Sequence, residues 1–283
     1  SNGAAYYVHH VASGKTDTLT LKLSAPRAVP TGTIAITNAR IITLNKRAVI
    51  AKGTILVKGS RIACVGTCST KGVDRVIDAA GKTIIPGLVD MHSHHYREWR
   101  GMRPRHDFEQ AIYLAYGVTT TMDVSMYSQN MFPTAELVEV GEIIGPRGFS
   151  TGDNITAGDA SRANEINSPR DALAMVTKMA GWGATSIKQY AQPRRDQRQW
   201  TAEAARTVGT NLTSEGGFFF EDLGFIMDGQ TGWEHSFSEV PMYGDGAKFL
   251  ACEEAEAAFV DGLGQGLQRL TAVEEEHEPV RLG

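Results

Sequence analysis

The sequence predicts an α/β fold, an incomplete (β/α) barrel of about six parallel strands preceded by a small β satellite domain. Short β segments separated by turn residues fill residues 33–66. From residue 84 onward, strand-like apolar runs alternate with helical stretches. This alternation is typical of βα units, whose strands pair in parallel and are covered by helices. Because a closed barrel has eight such units, the array predicted here is open.

Four segments of different character follow one another along the 283 residues. Residues 1–30 are predicted to form a β hairpin and a linker, because two strand-like runs flank a Ser-Gly turn signal and two prolines follow. Residues 31–83 form the small β domain, which ends in a polar connector at 67–83. Residues 84–250 carry the partial barrel. Residues 251–283 form an acidic tail, whose spaced leucines predict a helix.

Each barrel strand is expected where an apolar or β-branched run lies between turn residues. The expected strands are 84–94, 117–123, 147–151, 184–190, 211–215 and 231–235. Helices are expected between them, where apolar residues recur with a helical period. The expected helices are 108–116, 134–144, 168–180, 201–208, 223–228 and 243–258. Ser168 and Thr134 are the expected N-caps, and Pro169 suits a first helical turn.

Two histidines close the first barrel strand, in the stretch Ile-Ile-Pro-Gly-Leu-Val-Asp-Met-His-Ser-His at 84–94. Side chains alternate along a strand, so His92 and His94 face the same side, about 6–7 Å apart. Neutral imidazole is a common zinc ligand, and this spacing suits a divalent cation. The apolar run also predicts a strand that is buried on both faces. The alternative is a core strand that runs into a polar loop.

Further candidate ligands stand where later strands end. The carboxyl ends of barrel strands meet at one rim, and Asp123, Lys188, Glu215 and His235 occupy these positions. Recurrence of nitrogen and oxygen donors at successive strand ends predicts a metal site together with the histidine pair. Singly, each of these residues has a structural alternative, such as a capping carboxylate or a solvated lysine.

Lys188 is predicted to point inward from the fourth strand, on the same face as Tyr190. A lysine beside a metal has to be neutral or chemically altered. A neutral lysine amine can react with carbon dioxide and form a carbamate, an anionic bridge between two metals. The alternative is a cationic Lys188 paired with Glu215.

An arginine cluster follows the fourth strand. Arg194, Arg195 and Arg198 stand near Tyr190 and Trp200, and guanidinium groups can hold a substrate carboxylate by bidentate contacts. We therefore predict that the three arginines and Tyr190 bind substrate. The alternative is that the arginines are solvated or paired with acidic neighbours.

Composition argues against several other classes of protein. The formal net charge of −4 does not support a nucleic-acid partner. No apolar run reaches the roughly 18 residues that a membrane span needs, and the N-terminal residues do not have the pattern of a signal peptide. Cys64, Cys68 and Cys252 are too few and too scattered for a disulfide framework. The Cys64 and Cys68 pair also lacks the second pair that a structural zinc site needs.

Several of these stretches together resemble the amidohydrolase superfamily. The resemblance rests on the His-x-His run at 86–94 and on the stretches at 38–43, 117–121, 186–188 and 228–235. More narrowly, residues 188–200 and 213–217 resemble an imidazolonepropionase-like branch in which a Tol-type β-propeller precedes the hydrolase domain. By this analogy the N-terminal hairpin is the last part of such a propeller. The family's eighth-strand aspartate has no counterpart after His235, so a truncated member is expected.

The resemblance implies a metal-dependent hydrolase that cleaves amide or other C–N bonds with metal-activated water. It assigns His92 and His94 to the more buried metal, Lys188 to a carbamylated bridge and His235 to a second metal. Glu215 takes the place of a histidine found in many members. One or two divalent ions are implied, zinc first, with manganese or iron as alternatives. Lys188 and His235 are the predicted catalytic residues.

A second hypothesis comes from the open array itself. Strand edges without partners promote association, which predicts a homo-oligomer and allows for a catalytically inactive amidohydrolase-like fragment that acts through self-association or partner binding. Under the first hypothesis the partner is a small-molecule or short-peptide substrate. The resemblance also implies a periplasmic or secreted protein.

Overall fold

A computed structural model of the chain describes residues 5–46, 48–95, 108–125, 127–156, 166–190, 194–215, 224–235 and 280–282. In these residues the chain forms an α/β fold with a hairpin, a small β domain and two parallel sheets connected through helices. The predicted helix at 243–258 and most of the predicted acidic tail lie outside the described residues. No helix among those described is long and apolar enough to span a membrane.

The predicted N-terminal hairpin is confirmed. Strands β1 (Ala5–His10) and β2 (Lys15–Thr20) pair antiparallel, and Gly14 adopts a φ of 66° in the turn between them. The strand β3 (Leu23–Ala25) then pairs antiparallel with Val280–Leu282. The last described residues are therefore extended, and the helix predicted for the tail is wrong at this point.

The small β domain is a five-stranded sheet. Its strands are β4 (Thr33–Ile42), β5 (Val49–Lys58), β6 (Arg61–Gly66), β7 (Arg75–Asp78) and β8 (Thr83–Ile84). The first three form the predicted antiparallel meander, whereas β7 and β8 pair in parallel with β4. The polar connector predicted at 67–83 is thus wrong over these two strands. Asp74 and Asp78 accept hydrogen bonds from Thr33 and Asn38, which fasten this polar segment to β4.

A disulfide joins Cys64 and Cys68, a pairing that was not predicted from the sequence. Their Cα atoms lie 6.0 Å apart, because the chain turns back at the end of β6.

Reduction of this disulfide is expected to lower the free energy of unfolding by about 2 kcal/mol, because even a short closed loop restricts the unfolded chain. Urea unfolding with and without a thiol reductant measures the difference. A Cys64→Ser/Cys68→Ser double variant should unfold at one urea concentration under both conditions. An unchanged unfolding curve of the wild-type chain in reductant would show that the disulfide contributes no stability.

The partial barrel consists of parallel strands that form two sheets. These strands are β9 (Leu88–Ser93), β10 (Val118–Asp123), β11 (Arg147–Ser150), β12 (Ile155–Thr156), β13 (Ser186–Tyr190), β14 (Asn211–Glu215) and β15 (Gly232–Glu234). The first sheet has the order β11-β10-β9, and the second has the order β12-β13-β14-β15. All six predicted strands are present, but the single continuous array is wrong. The sheets separate after β11, where Gly152 turns the chain with a φ of 69°.

The helices alternate with these strands, as predicted. They are α1 (Phe108–Ala115), α2 (Ser128–Glu139), α3 (Pro169–Trp182) and α4 (Arg195–Val208). The Ser168 cap of α3 is confirmed, since its hydroxyl accepts a hydrogen bond from the backbone N–H of Asp171. Thr134 is not an N-cap, because α2 begins earlier and includes Pro133, and the Thr134 hydroxyl donates to the carbonyl of Asn130.

The main core lies between the second sheet and the helices α3 and α4. Val176 and Met179 of α3 pack with Ala202 of α4, Ile187 of β13 and Leu212 of β14, and all are buried. Small residues on α4 allow this helix to approach the sheet closely. The packing holds β13 and β14 firmly beside each other, so the side chains at their carboxyl ends have fixed positions.

The strand β9 is not buried on both faces as predicted. It lies at the edge of its sheet, and half of the surface of Leu88 and of Val89 is exposed. An apolar run alone does not distinguish a strand covered by helices from a strand at a sheet edge, which explains the error. Self-association through this edge stays a prediction.

Candidate functional site

The carboxyl ends of β9, β13, β14 and β15 bring all five predicted metal ligands into one chain of contacts. The Nζ of Lys188 lies 2.6 Å from Glu215 Oε2, and Glu215 Oε1 lies 2.8 Å from His235 Nε2. The ring centroids of His235 and His92 are 4.4 Å apart, and those of His92 and His94 are 5.0 Å apart. Because β9 belongs to one sheet and the other strands to the second, the two sheets meet at this cluster.

Each of the three histidines in the cluster faces a carboxylate. Glu234 Oε2 lies 2.7 Å from His92 Nδ1, and Glu215 Oε1 lies 2.8 Å from His235 Nε2. His94 Nδ1 lies 3.3 Å from the hydroxyl oxygen of Ser125 and 4.0 Å from Asp123 Oδ1. The cluster therefore alternates imidazoles with acceptors, an arrangement that orients the rings.

Sequence reasoning missed Glu234. Strand alternation places Glu234 and His235 on opposite faces, but His235 follows the end of β15 and adopts a φ of 65°. Left-handed backbone is uncommon for a residue other than glycine and often occurs at functional sites. Glu234 pairs in register with Glu215 of β14, so two neighbouring strands end in glutamate at the same level. That shared register is the signal that identifies Glu234.

Lys188 is buried and ion-paired. Its side chain is 2% exposed, and its ammonium group lies over the ring of Tyr190, 5.6 Å from the centroid. The ion pair with Glu215 matches the alternative in which Lys188 stays cationic. Burial opposes ionisation of Glu215, but Lys188 and His235 outweigh it and hold the pKa of this carboxyl below its ordinary value. Glu215 is consequently an anion at neutral pH.

Asp123 fixes the loop that carries His94. Its carboxylate is completely buried and accepts hydrogen bonds from the backbone N–H groups of His95 and Ser125, at 2.7 and 3.0 Å. His95, which sequence reasoning did not single out, is also buried, and its Nδ1 accepts a hydrogen bond from the Gln110 side chain. His95 therefore anchors the chain directly after β9.

The predicted substrate-binding arginines are paired with aspartates. Arg194 donates to Asp196. The Nε atoms of Arg195 and Arg198 lie 2.8 and 2.9 Å from the two oxygens of Asp228. These pairs match the alternative in which the arginines contact acidic neighbours. A substrate-binding role for the three arginines, and for the partly exposed Tyr190, stays a prediction.

The donor types of the cluster suit a divalent cation, since imidazole and carboxylate groups are its usual ligands. In the described part of the chain, however, no three His, Cys, Asp or Glu residues are arranged to hold a metal ion. The donors instead contact one another, as in the Glu234–His92 and Glu215–His235 pairs. Within the residues described, one ring nitrogen of each of these histidines has no hydrogen-bond partner, the Nε2 of His92 and the Nδ1 of His235.

Comparisons with known proteins identify relatives over part of the chain. No protein-family model matches it. A dihydroorotase from Wolbachia sp. subsp. Drosophila simulans (strain wRi) is 35% identical over 126 residues, which are 42% of this chain and 26% of the relative. A 5'-deoxyadenosine deaminase from Methanosarcina mazei is 39% identical over 62 residues, 22% of this chain and 14% of the relative. The chain thus matches about a quarter of the first relative's length and less of the second.

Solved structures extend the similarity to most of the chain. The crystal structure of an amidohydrolase superposes with a TM-score of 0.59 and 20% identity, and covers 72% of this chain and 60% of its own. At this level of identity the superposition shows a shared fold. The strand-end histidine motif, the shared fold and the sequence relatives together support membership in the amidohydrolase superfamily.

Proposed function

We propose that this protein is a metal-dependent hydrolase that acts on amide or other C–N bonds. The observation that carries the proposal is the contact chain from Lys188 through Glu215, His235 and His92 to His94, at the carboxyl ends of the barrel strands. Active sites of barrel enzymes lie at this rim. The relatives support the reaction class, since the names dihydroorotase and deaminase describe enzymes that act at C–N bonds.

The proposed metal ligands are His92, His94, Lys188, Glu215 and His235. They would hold one or two divalent ions, zinc first, with manganese or iron as alternatives. Lys188 would bind a metal only as a carbamate, whereas in the metal-free chain it is the ion-pair partner of Glu215. A bound divalent ion lowers the pKa of water and polarises a carbonyl group.

The residues of the chain prepare this site in two ways. In the metal-free chain, the ion pair with Lys188 keeps Glu215 ionised, so that a carboxylate stands beside the imidazole of His235. The side chain of His235 is half exposed, so it is accessible to a metal ion or a substrate, and Glu215 orients its ring through Nε2. With one bound ion, His235 would be the proton carrier and Glu215 its orienting partner; with two ions, His235 would be a ligand of the second.

Hydrolysis assays on zinc- or manganese-loaded protein test the proposal. We expect turnover of at least one member of a panel of dipeptides, cyclic amides and N-formyl amines, and a loss of at least about 100-fold in His92→Ala. His9→Ala, on the exposed hairpin, is the matched control and should keep full activity. Equal rates in the wild-type chain and in His92→Ala would contradict the proposal.

The second candidate function is self-association without catalysis. The exposed apolar side chains of Leu88 and Val89 on the edge strand β9 favour it. Sedimentation of the wild-type chain and a Leu88→Lys variant distinguishes the candidates. A concentration-dependent dimer that the variant abolishes, together with no hydrolysis on the panel, would favour this second function.

We also propose that the protein works in an oxidising compartment, such as the periplasm or the extracellular space. The Cys64–Cys68 disulfide supports this location, because disulfides persist in such compartments and are rare in the cytosol.

A further inference from the structure

We propose that Glu234 is the positioning residue of His92: it accepts the Nδ1–H of the imidazole and leaves the Nε2 lone pair to bind a divalent cation. This inference rests on the proposed function, because it names the residue that prepares one of the proposed ligands. Glu234 itself is not one of the proposed metal ligands.

The geometry of the contact is that of a charge-assisted hydrogen bond. Glu234 Oε2 and His92 Nδ1 are 2.7 Å apart, within the range of such bonds. Glu234 is 8% exposed, so little water competes for the carboxylate. The bond also crosses from β15 to β9 and connects the two parallel sheets.

The partners of Glu234 point to a dedicated role. In the described residues, His92 is the hydrogen-bond partner of the Glu234 side chain, and no lysine or arginine is paired with it. A nearly buried carboxylate without a lysine or arginine is costly. The hydrogen bond to His92 offsets part of this cost, so holding the His92 ring is the role that the contacts of Glu234 indicate.

The hydrogen bond determines which nitrogen of His92 carries the proton. A carboxylate oxygen accepts a hydrogen bond from a ring N–H, so the 2.7 Å contact places a proton on Nδ1. In the neutral ring Nε2 then presents a lone pair, which is the form of imidazole that binds metals. Carboxylate–histidine pairs of this kind orient metal ligands and raise their basicity.

The neighbouring strand shows that this assignment is specific. Glu215 and Glu234 are paired in register, but Glu215 contacts the Nε2 of His235 and also Lys188, whereas Glu234 contacts Nδ1 of His92. The two glutamates therefore serve different histidines through different ring nitrogens. Only the Glu234 pair leaves Nε2 available.

Two measurements on the full chain test the inference, and one of them needs no metal. Long-range ¹H–¹⁵N NMR of the metal-free protein should show His92 as the Nδ1–H tautomer. In Glu234→Ala the Nδ1–H of His92 has no acceptor, so the signal should shift toward the Nε2–H tautomer. Glu234→Gln, whose amide oxygen still accepts, should keep more of the Nδ1–H form. Glu142→Ala, at an exposed glutamate, is the matched control.

Zinc titration supplies the second readout. We expect Glu234→Ala to weaken zinc binding by about 10- to 100-fold, with Glu234→Gln between the wild-type chain and Glu234→Ala. An Nε2–H tautomer of His92 in the wild-type chain would overturn the inference, and so would an unchanged zinc affinity in Glu234→Ala.

The failures of the two proposals are distinguishable. If the wild-type chain binds no zinc, the proposed function fails, and the tautomer alone decides whether Glu234 positions His92. If zinc binds but Glu234→Ala changes neither readout, the positioning role fails while the metal site stands. Should Glu234→Ala not fold, the isosteric Glu234→Gln gives both readouts.

Discussion

Replacing Lys188 by methionine is expected to lower the free energy of unfolding by about 3 kcal/mol and to abolish hydrolysis. The ammonium group is buried and lies 2.6 Å from Glu215. Methionine fills a similar volume but removes the charge, so the carboxylate of Glu215 loses its cation in a largely desolvated place. Removing one partner of a buried ion pair costs about 3–5 kcal/mol, and the partial exposure of Glu215 places the expected value at the lower end. Urea unfolding at neutral pH measures it.

The matched control for this substitution is Lys58→Met, at an exposed lysine at the end of β5, which should change stability little. A Lys188→Met/Glu215→Gln double variant should recover part of the loss, because no unpaired charge remains. If Lys188→Met and Lys58→Met were equally stable, the buried ion pair would make no contribution, and the description of the cluster would be wrong.

Replacing Asp228 by asparagine is expected to lower the free energy of unfolding by about 3 kcal/mol at pH 7. The Asp228 side chain is fully buried and accepts hydrogen bonds from Arg195, Arg198 and Gln199. Asparagine keeps the shape but not the charge, so the largely buried guanidinium of Arg198 loses its counter-ion. Because Asp228 lies in the turn before β15, the loss also loosens the strand that carries Glu234.

The effect of Asp228→Asn is expected to depend on pH. Burial pushes the pKa of Asp228 upward, but the hydrogen bonds from Arg195, Arg198 and Gln199 outweigh it and lower this pKa. The stabilisation is therefore complete above the ordinary aspartate pKa of about 3.9 and is lost as the pH falls through the lower pKa of the folded state.

Urea unfolding at a series of pH values tests this dependence. The difference between the wild-type chain and Asp228→Asn should be constant from pH 7 to pH 5 and should shrink below pH 4. Asp196→Asn, at an exposed aspartate paired with Arg194, should change stability little at every pH. A difference for Asp228→Asn that stays the same into strong acid would contradict the ionised pair.

The strand-end residues were predictable because two simple regularities apply to them. Side chains alternate along strands, and parallel strands end at one rim, which is sufficient to bring His92, Lys188, Glu215 and His235 together. The positions of the main strands and the Ser168 cap follow from equally local patterns. These features depend on neighbouring residues and therefore appear in the sequence.

Other features depend on contacts between distant residues and were missed. The partner of Arg195 and Arg198 is Asp228, which lies 33 and 30 positions further along the chain. Glu234 contacts His92, which lies 142 positions earlier in the chain. The left-handed backbone of His235 breaks the strand alternation from which the side-chain direction of Glu234 could have been predicted.

Zinc titration of the wild-type chain and of histidine variants tests most directly whether the strand-end cluster is a metal centre. The account predicts saturable binding of one or two ions by the wild-type chain, strongly weakened in His92→Ala and in His235→Ala. A His9→Ala/His10→Ala double variant on the exposed hairpin should bind zinc like the wild-type chain. Absence of saturable binding, or equal affinities in the wild-type chain and His92→Ala, would contradict the account.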